Sequence, residues 1–308
     1  MATAPTTASP RRRWFRYSLR TFFLLITAVC IALGLYVKRQ RDRYVAIEKI
    51  KTSGGFVEFV KRTGGGSRYY PDLLAAKGPG QTRAEYPEEQ PTGKPWMQQM
   101  LGKYGKYHGS RVVSITLGRT ILSPKDAVFD IGVLAPLNEV QELLLTDSFD
   151  DDDLARLPRL PELERLQMSM LEGISDRGLT CLDRMPNLTL LQVSIGNFTA
   201  EGLAHIGSRH KLTRLMLSSC DLSDDSLVPL AELPGLTSLF LADSTISDAA
   251  VPHLAQLRGL KQLIIVNTNI TEEGVKKLRE SLPKCQIHAQ FEKPSGLRER
   301  VVRERQKR

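Results

Sequence analysis

The residues of this chain whose type and spacing most suggest chemistry are four aspartates in a row, Asp150, Asp151, Asp152 and Asp153, with Asp147 just ahead of them. Clustered carboxylate oxygens suit a hard cation such as calcium, but the run lacks the glycine and the distal glutamate of an EF-hand loop. The five histidines, His108, His205, His210, His253 and His288, share no recurring metal spacing with Cys, Asp or Glu, and HExxH is absent. There is no GxSxG elbow. Gly64-Gly65-Gly66 lacks the GK[ST] that would make a phosphate loop. Cys30, Cys181, Cys220 and Cys285 form no CxxC pair or disulfide framework and read as small hydrophobes. No catalytic residue, metal ligand or cofactor site can be assigned from these groups, and the chain reads as non-enzymatic.

The aspartate run finds its meaning in the elements around it. Four consecutive blocks open LTLLQV, LTRLML, LTSLFL and LKQLII, starting at Leu188, Leu212, Leu236 and Leu260. Their 24-residue period is that of stacked supersecondary units. Looser copies start at Leu163, Val140 and Val112. Positions 4 and 6 of each block are apolar and share one face, as a strand requires. An apolar loop residue follows (Phe149, Ile174, Phe198, Leu222, Ile246, Ile270), and then a helix start. Ser175, Thr199, Ser223, Ser247 and Thr271 stand at the N-cap, with acids in the first turn. Asp150 falls in the same register, so the aspartate run reads as a cap and a first helical turn. Apolar residues three apart, such as Leu227, Leu230 and Leu233, supply one buried helical stripe. Each repeat is therefore a short strand, a turn and a short helix, buried only by stacking.

In the form LxxLxLxxC-x-[LI]-[ST]-[DE]-x-x-[LV]-x-x-L, matched throughout by residues 212–235, the chain resembles the leucine-rich repeat superfamily, and within it the cysteine-containing type seen in F-box-associated repeats and many bacterial proteins. The resemblance spans about 111–287 and implies an α/β solenoid of six to seven repeats, with a concave parallel sheet and helices on the convex side. The first blocks depart from the pattern, at 28 and 23 residues, and Leu171 and Gly196 replace the loop cysteine. The three Asn-x-Thr sequons at Asn187, Asn197 and Asn269 fall inside the repeat pattern and read as incidental to it.

Positions 3, 5 and 7 of each strand should face out of the concave sheet. Arg165, Gln167, Gln192, Arg214, Met216, Phe240, Gln262, Ile264 and Val266 are the candidate contact residues there, with Met216, Phe240, Ile264 and Val266 an exposed apolar ladder. Contiguous apolar surface rimmed by polar groups suits a protein or peptide partner.

Residues 21–37 carry no charge and lie between arginines at 11, 12, 13, 16 and 20 and a second basic group from Lys38. Seventeen residues is about the minimum for a membrane-spanning helix. This reads as an uncleaved signal anchor, with a cleaved signal peptide at the small-x-small site Ala32-Leu33-Gly34 as the other reading. Basic residues on both flanks give little orientational bias, with a slight preference for repeats on the non-cytoplasmic side. The organisation expected is a basic flank (1–20), the anchor (21–37), a juxtamembrane linker and cap (38–110), the repeats (111–290) and a basic tail (291–308). The cap is expected from Trp96, Met97, Met100 and Leu101, and a short strand from residues 56–60.

The whole net charge of +9 sits in residues 1–51, where eleven Lys and Arg meet two acids. That distribution fits membrane flanks and argues against a nucleic-acid partner. Three functions fit the pattern: a membrane-anchored protein-interaction module, an adaptor of the ubiquitin-ligase kind, and a structural spacer of the envelope. The residues ahead of the repeats read as an anchor and linker rather than an F-box-like helical segment, which favours the first.

Overall fold

The computed structural model describes residues 19–53, 55–61, 110–118, 130–146, 149–169, 174–208 and 211–291. The expected cap at 96–101, most of the linker, and residues 292–308 of the tail lie outside them. A helix, α1 (Leu19–Thr52), leads into one sheet of nine strands in sequential order. These are β1 (Phe56–Lys61), β2 (Ser110–Gly118), β3 (Glu142–Thr146), β4 (Arg165–Ser169), β5 (Leu190–Asn197), β6 (Arg214–Asp221), β7 (Ser238–Ala242), β8 (Gln262–Val266) and β9 (Gln286–Gln290). β1, the expected short strand, pairs antiparallel with β2; every later pair is parallel.

The register is the one the period demands. Ile115, Leu143, Leu166, Leu191, Leu215, Leu239, Leu263 and Ile287 stand side by side on adjacent strands. All are buried, as are the apolar loop residues from Phe149 to Ile270 and the helical stripe from Leu227 to Leu257. One continuous apolar core runs the length of the stack. The result is an α/β solenoid. Strands stack about 4.8 Å apart whereas α-helices need about 10 Å, so such a stack curves with its sheet on the inside. Here the helical segments are short and several are 3₁₀; in 224–232, Pro229 removes a backbone donor.

The N-caps fall where the sequence placed them. Ser175, Thr199, Ser247 and Thr271 each accept a hydrogen bond from their own first helical turn. Asp150 closes a capping box with Asp153. Four of these caps are also gripped by the repeat before them, which the sequence reading missed. The Asp151 carboxylate accepts from the Ser175 backbone N–H (3.0 Å) and hydroxyl (2.5 Å). Asp176 does the same to Thr199 (2.9 and 2.5 Å), Asp224 to Ser247 (2.6 and 2.8 Å) and Asp248 to Thr271 (2.8 and 2.7 Å). The first helical residue of one repeat thus clamps the cap of the next.

The clamp breaks once. Ala200 occupies the aspartate position ahead of Ser223, and there Ser226 takes over, its hydroxyl accepting from the Ser223 backbone N–H at 3.2 Å. The clamp also explains Gly202, where a Cβ would come within 1.9 Å of the Asp176 carboxylate. Gly178 and Gly274 are similarly close against Asp151 and Asp248, at 2.4 and 2.1 Å.

α1 runs through the expected anchor–linker boundary at 37/38 and ends against the first repeat. Ala46, Ile47 and Ile50 lie on one helical face and are buried in the solenoid core. Around them Arg43 pairs with Glu139 (2.6 Å), Lys49 with Asp130 (3.2 Å), and Arg39 donates to Asn138 (3.3 Å). Burial pushes the Arg43 guanidinium down from its ordinary value and Glu139 opposes that shift. Lys49 and the Gly132 N–H hold Asp130 below the usual carboxylate range. Gly55 then lets the chain turn into β1: a Cβ there would meet Ile50 at 2.8 Å and the Thr116 carbonyl at 2.9 Å.

Two stability measurements follow. Leu239, at 0 % exposure in the middle of the core ladder, should cost about 2–5 kcal/mol when cut to alanine in urea unfolding. A loss under about 0.5 kcal/mol, the level of an ordinary surface change, would put the inward face one residue out of register. The Thr271 hydroxyl and backbone N–H hold the Asp248 carboxyl below its ordinary value. A depressed folded value means the clamp contributes above the unfolded pKa of about 4 and is lost as pH falls through the folded value. Wild type should therefore exceed Asp248→Asn in stability near neutral pH, with the gap closing below about pH 4. A gap that widens in acid would contradict the clamp.

Candidate interaction surface on the sheet

The solvent face of the sheet divides into two halves. In the early half the outward side chains are tied to one another. Arg165 is bonded to Glu142 at 2.9 Å, and Gln167 donates to the other Glu142 oxygen at 3.3 Å. Gln167 retains only 8 % exposure. The expectation that it is presented as contact surface is corrected: the neighbouring strands bring Glu142 over it, and the amide is spent within the sheet. Arg165 is half-buried in the same network.

The late half is open. Registered pairing places Met216 beside Phe240, Phe240 beside Ile264, and Ile264 beside His288. Val266 flanks this row next to Ala242. Met216, Phe240, Ile264 and Val266 are all half-exposed, although they lie on strands whose alternate residues are fully buried. The alternation of the strand produces this: Leu239, Leu241, Leu263 and Ile265 point into the core, which sends their neighbours out. Arg214 is exposed and Gln262 half-buried at the row's edge, with the Ser238 hydroxyl donating to the Gln262 side-chain Oε1 at 3.4 Å. Gln192 borders the row on the other side, next to Met216. Its side-chain Oε1 is buried and has no hydrogen-bond partner among the described residues. Such an atom is costly unless a donor arrives.

A left-handed residue that sequence reading did not find recurs near the end of four strands, two residues before the end of β5 and β6 and directly after β7 and β8. Ile195, Ser219, Asp243 and Asn267 have φ of 73°, 54°, 51° and 52°. Asn and Asp tolerate this region; β-branched Ile195 is strained there. Asn267 donates to Asp243 at 3.0 Å, forming a polar rim beside Ala242 and Val266.

No family model matches the chain, and no curated protein matches it. Among solved structures it is similar to a leucine-rich repeat protein of Leptospira interrogans, at 22% identity over 52% of this chain and 39% of that one, with a TM-score of 0.34. It is also similar to an internalin from Listeria monocytogenes, at 20% identity over 57% of this chain and 61% of that one, with a TM-score of 0.34. The chain spans less than two thirds of the length of either.

The groups that first suggested chemistry are placed elsewhere. Asp150 and Asp153 bond each other's backbone N–H, and Asp151 grips Ser175. Among the described residues no three of His, Cys, Asp and Glu are grouped as metal ligands. His205 and His253 lie on the helical side, near Asp183 and Asp225. Burial pushes the Cys181 thiol up to about 12, which keeps it protonated and unreactive.

Proposed function

We propose that this is a membrane-anchored, non-enzymatic interaction module that binds a protein or peptide on the late half of its sheet face. The apolar row Met216–Phe240–Ile264, flanked by Val266, carries the reading. It is contiguous across three adjacent strands, half-exposed, and bounded by the polar side chains of Gln192, Arg214 and Gln262. Apolar patches with such rims mark interaction sites, and the inner face of a solenoid offers an extended surface for them. Aromatic and long aliphatic side chains at the centre of a patch supply most of the binding energy in protein interfaces. The unmet Gln192 acceptor gives the partner one place for a donor at the edge of the row. Arg165 and Gln167 support the face from within; Gln192, Arg214, Met216, Phe240, Gln262, Ile264 and Val266 make the contact.

The anchor reading rests on α1. Over Phe23–Thr52 it is the one helix among the described residues long and apolar enough to cross a membrane; its side chains from Phe23 to Leu35 are not covered by the rest of the protein, whereas Ala46, Ile47 and Ile50 belong to the solenoid core and lie beyond the proposed span. The repeats are placed on the non-cytoplasmic side by the slight charge bias of the span's flanks alone.

A photocrosslinking residue placed at 240 or 264 in the full chain, in intact cells, should capture a discrete protein partner. The same group at Val228, an exposed apolar position on the helical side, should not. Phe240→Asp with Ile264→Asp should reduce capture from position 216 by about tenfold or more, as loss of a central anchor does. Its unfolding midpoint should stay within a few degrees of wild type, as expected for half-exposed positions. Capture that persists unchanged in a folded double variant would remove this face from the function.

A further inference from the structure

The basic residues of α1 fall into two sets. Arg43 and Lys49, further along the helix, are paired with the solenoid carboxylates Glu139 and Asp130. Lys38 and Arg39, directly after the apolar run, have no carboxylate partner among the described residues. Both side chains are exposed, and both line a groove of about 260 Å³ between α1 and the turn that carries Pro136 and Asn138. Leu35 forms the end nearest the apolar run and is 64% exposed. Asn138 accepts from Arg39 at 3.3 Å and holds the guanidinium at the groove. Asp42 also lines it, but its carboxylate lies 3.6 Å from Arg41.

We infer that this groove binds the phosphate headgroup of an anionic phospholipid. The inference rests on the membrane-anchored reading of α1. A helix rises about 1.5 Å per residue, so Lys38 and Arg39 stand within a few ångströms of the end of the apolar run, at headgroup depth. Two cations there match a phosphate in charge and in hydrogen-bond donors. Leu35 offers an apolar wall on the bilayer side for the glycerol and the start of the acyl chains. The volume lies below the range of about 300–1,000 Å³ typical of drug-sized ligands and suits a headgroup. The docked solenoid is needed to make the site, because Pro136 and Asn138 form its second wall. The lipid would then brace the solenoid against the membrane.

The test uses the full chain in vesicles of phosphatidylcholine with a minor fraction of phosphatidylglycerol. Three proteins are compared: wild type, Lys38→Ala with Arg39→Ala, and a control with the same charge loss on the helix Glu272–Ser281, Lys276→Ala with Lys277→Ala. Resistance to alkaline extraction reads the membrane anchor. Native mass spectrometry after transfer to detergent reads retained phosphatidylglycerol. All three proteins should resist extraction; wild type and control should retain one phosphatidylglycerol, and the Lys38/Arg39 variant should need at least tenfold more lipid to do so. Equal retention by all three, or none by wild type, overturns the site while leaving the anchor standing. Extraction of wild type by alkali overturns the anchor reading and the site with it. Saturation of the groove by inorganic phosphate alone, without phospholipid, would assign it to a soluble anion and overturn the lipid assignment.

Discussion

A repeat of some 24 residues has no core of its own, so its leucines are buried only by the repeats on either side, and whatever lies at the end of the stack must be covered by something else. In this protein the first repeat is covered by Ala46, Ile47 and Ile50 from the end of α1, with β1 extending the sheet beside it. Burying an isoleucine side chain stabilises by about 1.5–3 kcal/mol, so these residues supply a real share of the stability of the first repeats. The same helix carries the apolar segment that reads as a membrane span. Under the proposed reading of that segment, cap and anchor are one continuous element, and a solenoid fixed in this way would present its sheet face in a defined direction from the bilayer.

Along the stack, a second interaction sets the spacing of the repeats. Aspartate at the first helical position meets the cap hydroxyl and cap N–H of the following repeat four times. Each such serine or threonine hydroxyl serves twice, donating to the previous repeat and accepting from its own helix. Where Ala200 removes the carboxylate, Ser226 satisfies the same N–H locally, so no cap N–H in the clamped series is left without an acceptor. This confines the repeats to one register on the helical side while the strands do so on the other. With both sides fixed, Phe240 and Ile264 stand adjacent across the sheet, and a contiguous apolar row becomes possible.

Much of this was legible in the residues because a period carries three-dimensional information. Spacing of 24 put Leu215, Leu239 and Leu263 in one ladder and their neighbours Met216, Phe240 and Ile264 on the opposite face. It also turned Asp150–Asp153 from a cation candidate into a cap. Three features were out of reach. The clamp joins Asp176 to Thr199 through space, and sequence shows only that both types recur. Gln167 is buried because Glu142, on the adjacent strand, folds over it, and position 5 of the repeat says nothing of neighbouring side chains. The covering role of α1 is the third: Ile47 and Ile50 sit just past a basic cluster and span little more than one helical turn, while the cap expected at 96–101 lies outside the described residues. So short an apolar stripe is not distinctive until the surface it covers is known.

The continuity of α1 from its apolar segment into the solenoid core is the claim on which orientation, cap and headgroup groove all depend. Amide hydrogen exchange over residues 38–52, in the full chain reconstituted in lipid vesicles, tests it most directly. A docked helix should show protection through this segment, strongest around Ile47 and Ile50 and comparable to that of β3. Exchange of 38–52 at the rate of an unstructured linker, while the repeats remain protected, would contradict it and leave the solenoid hanging free of the membrane helix.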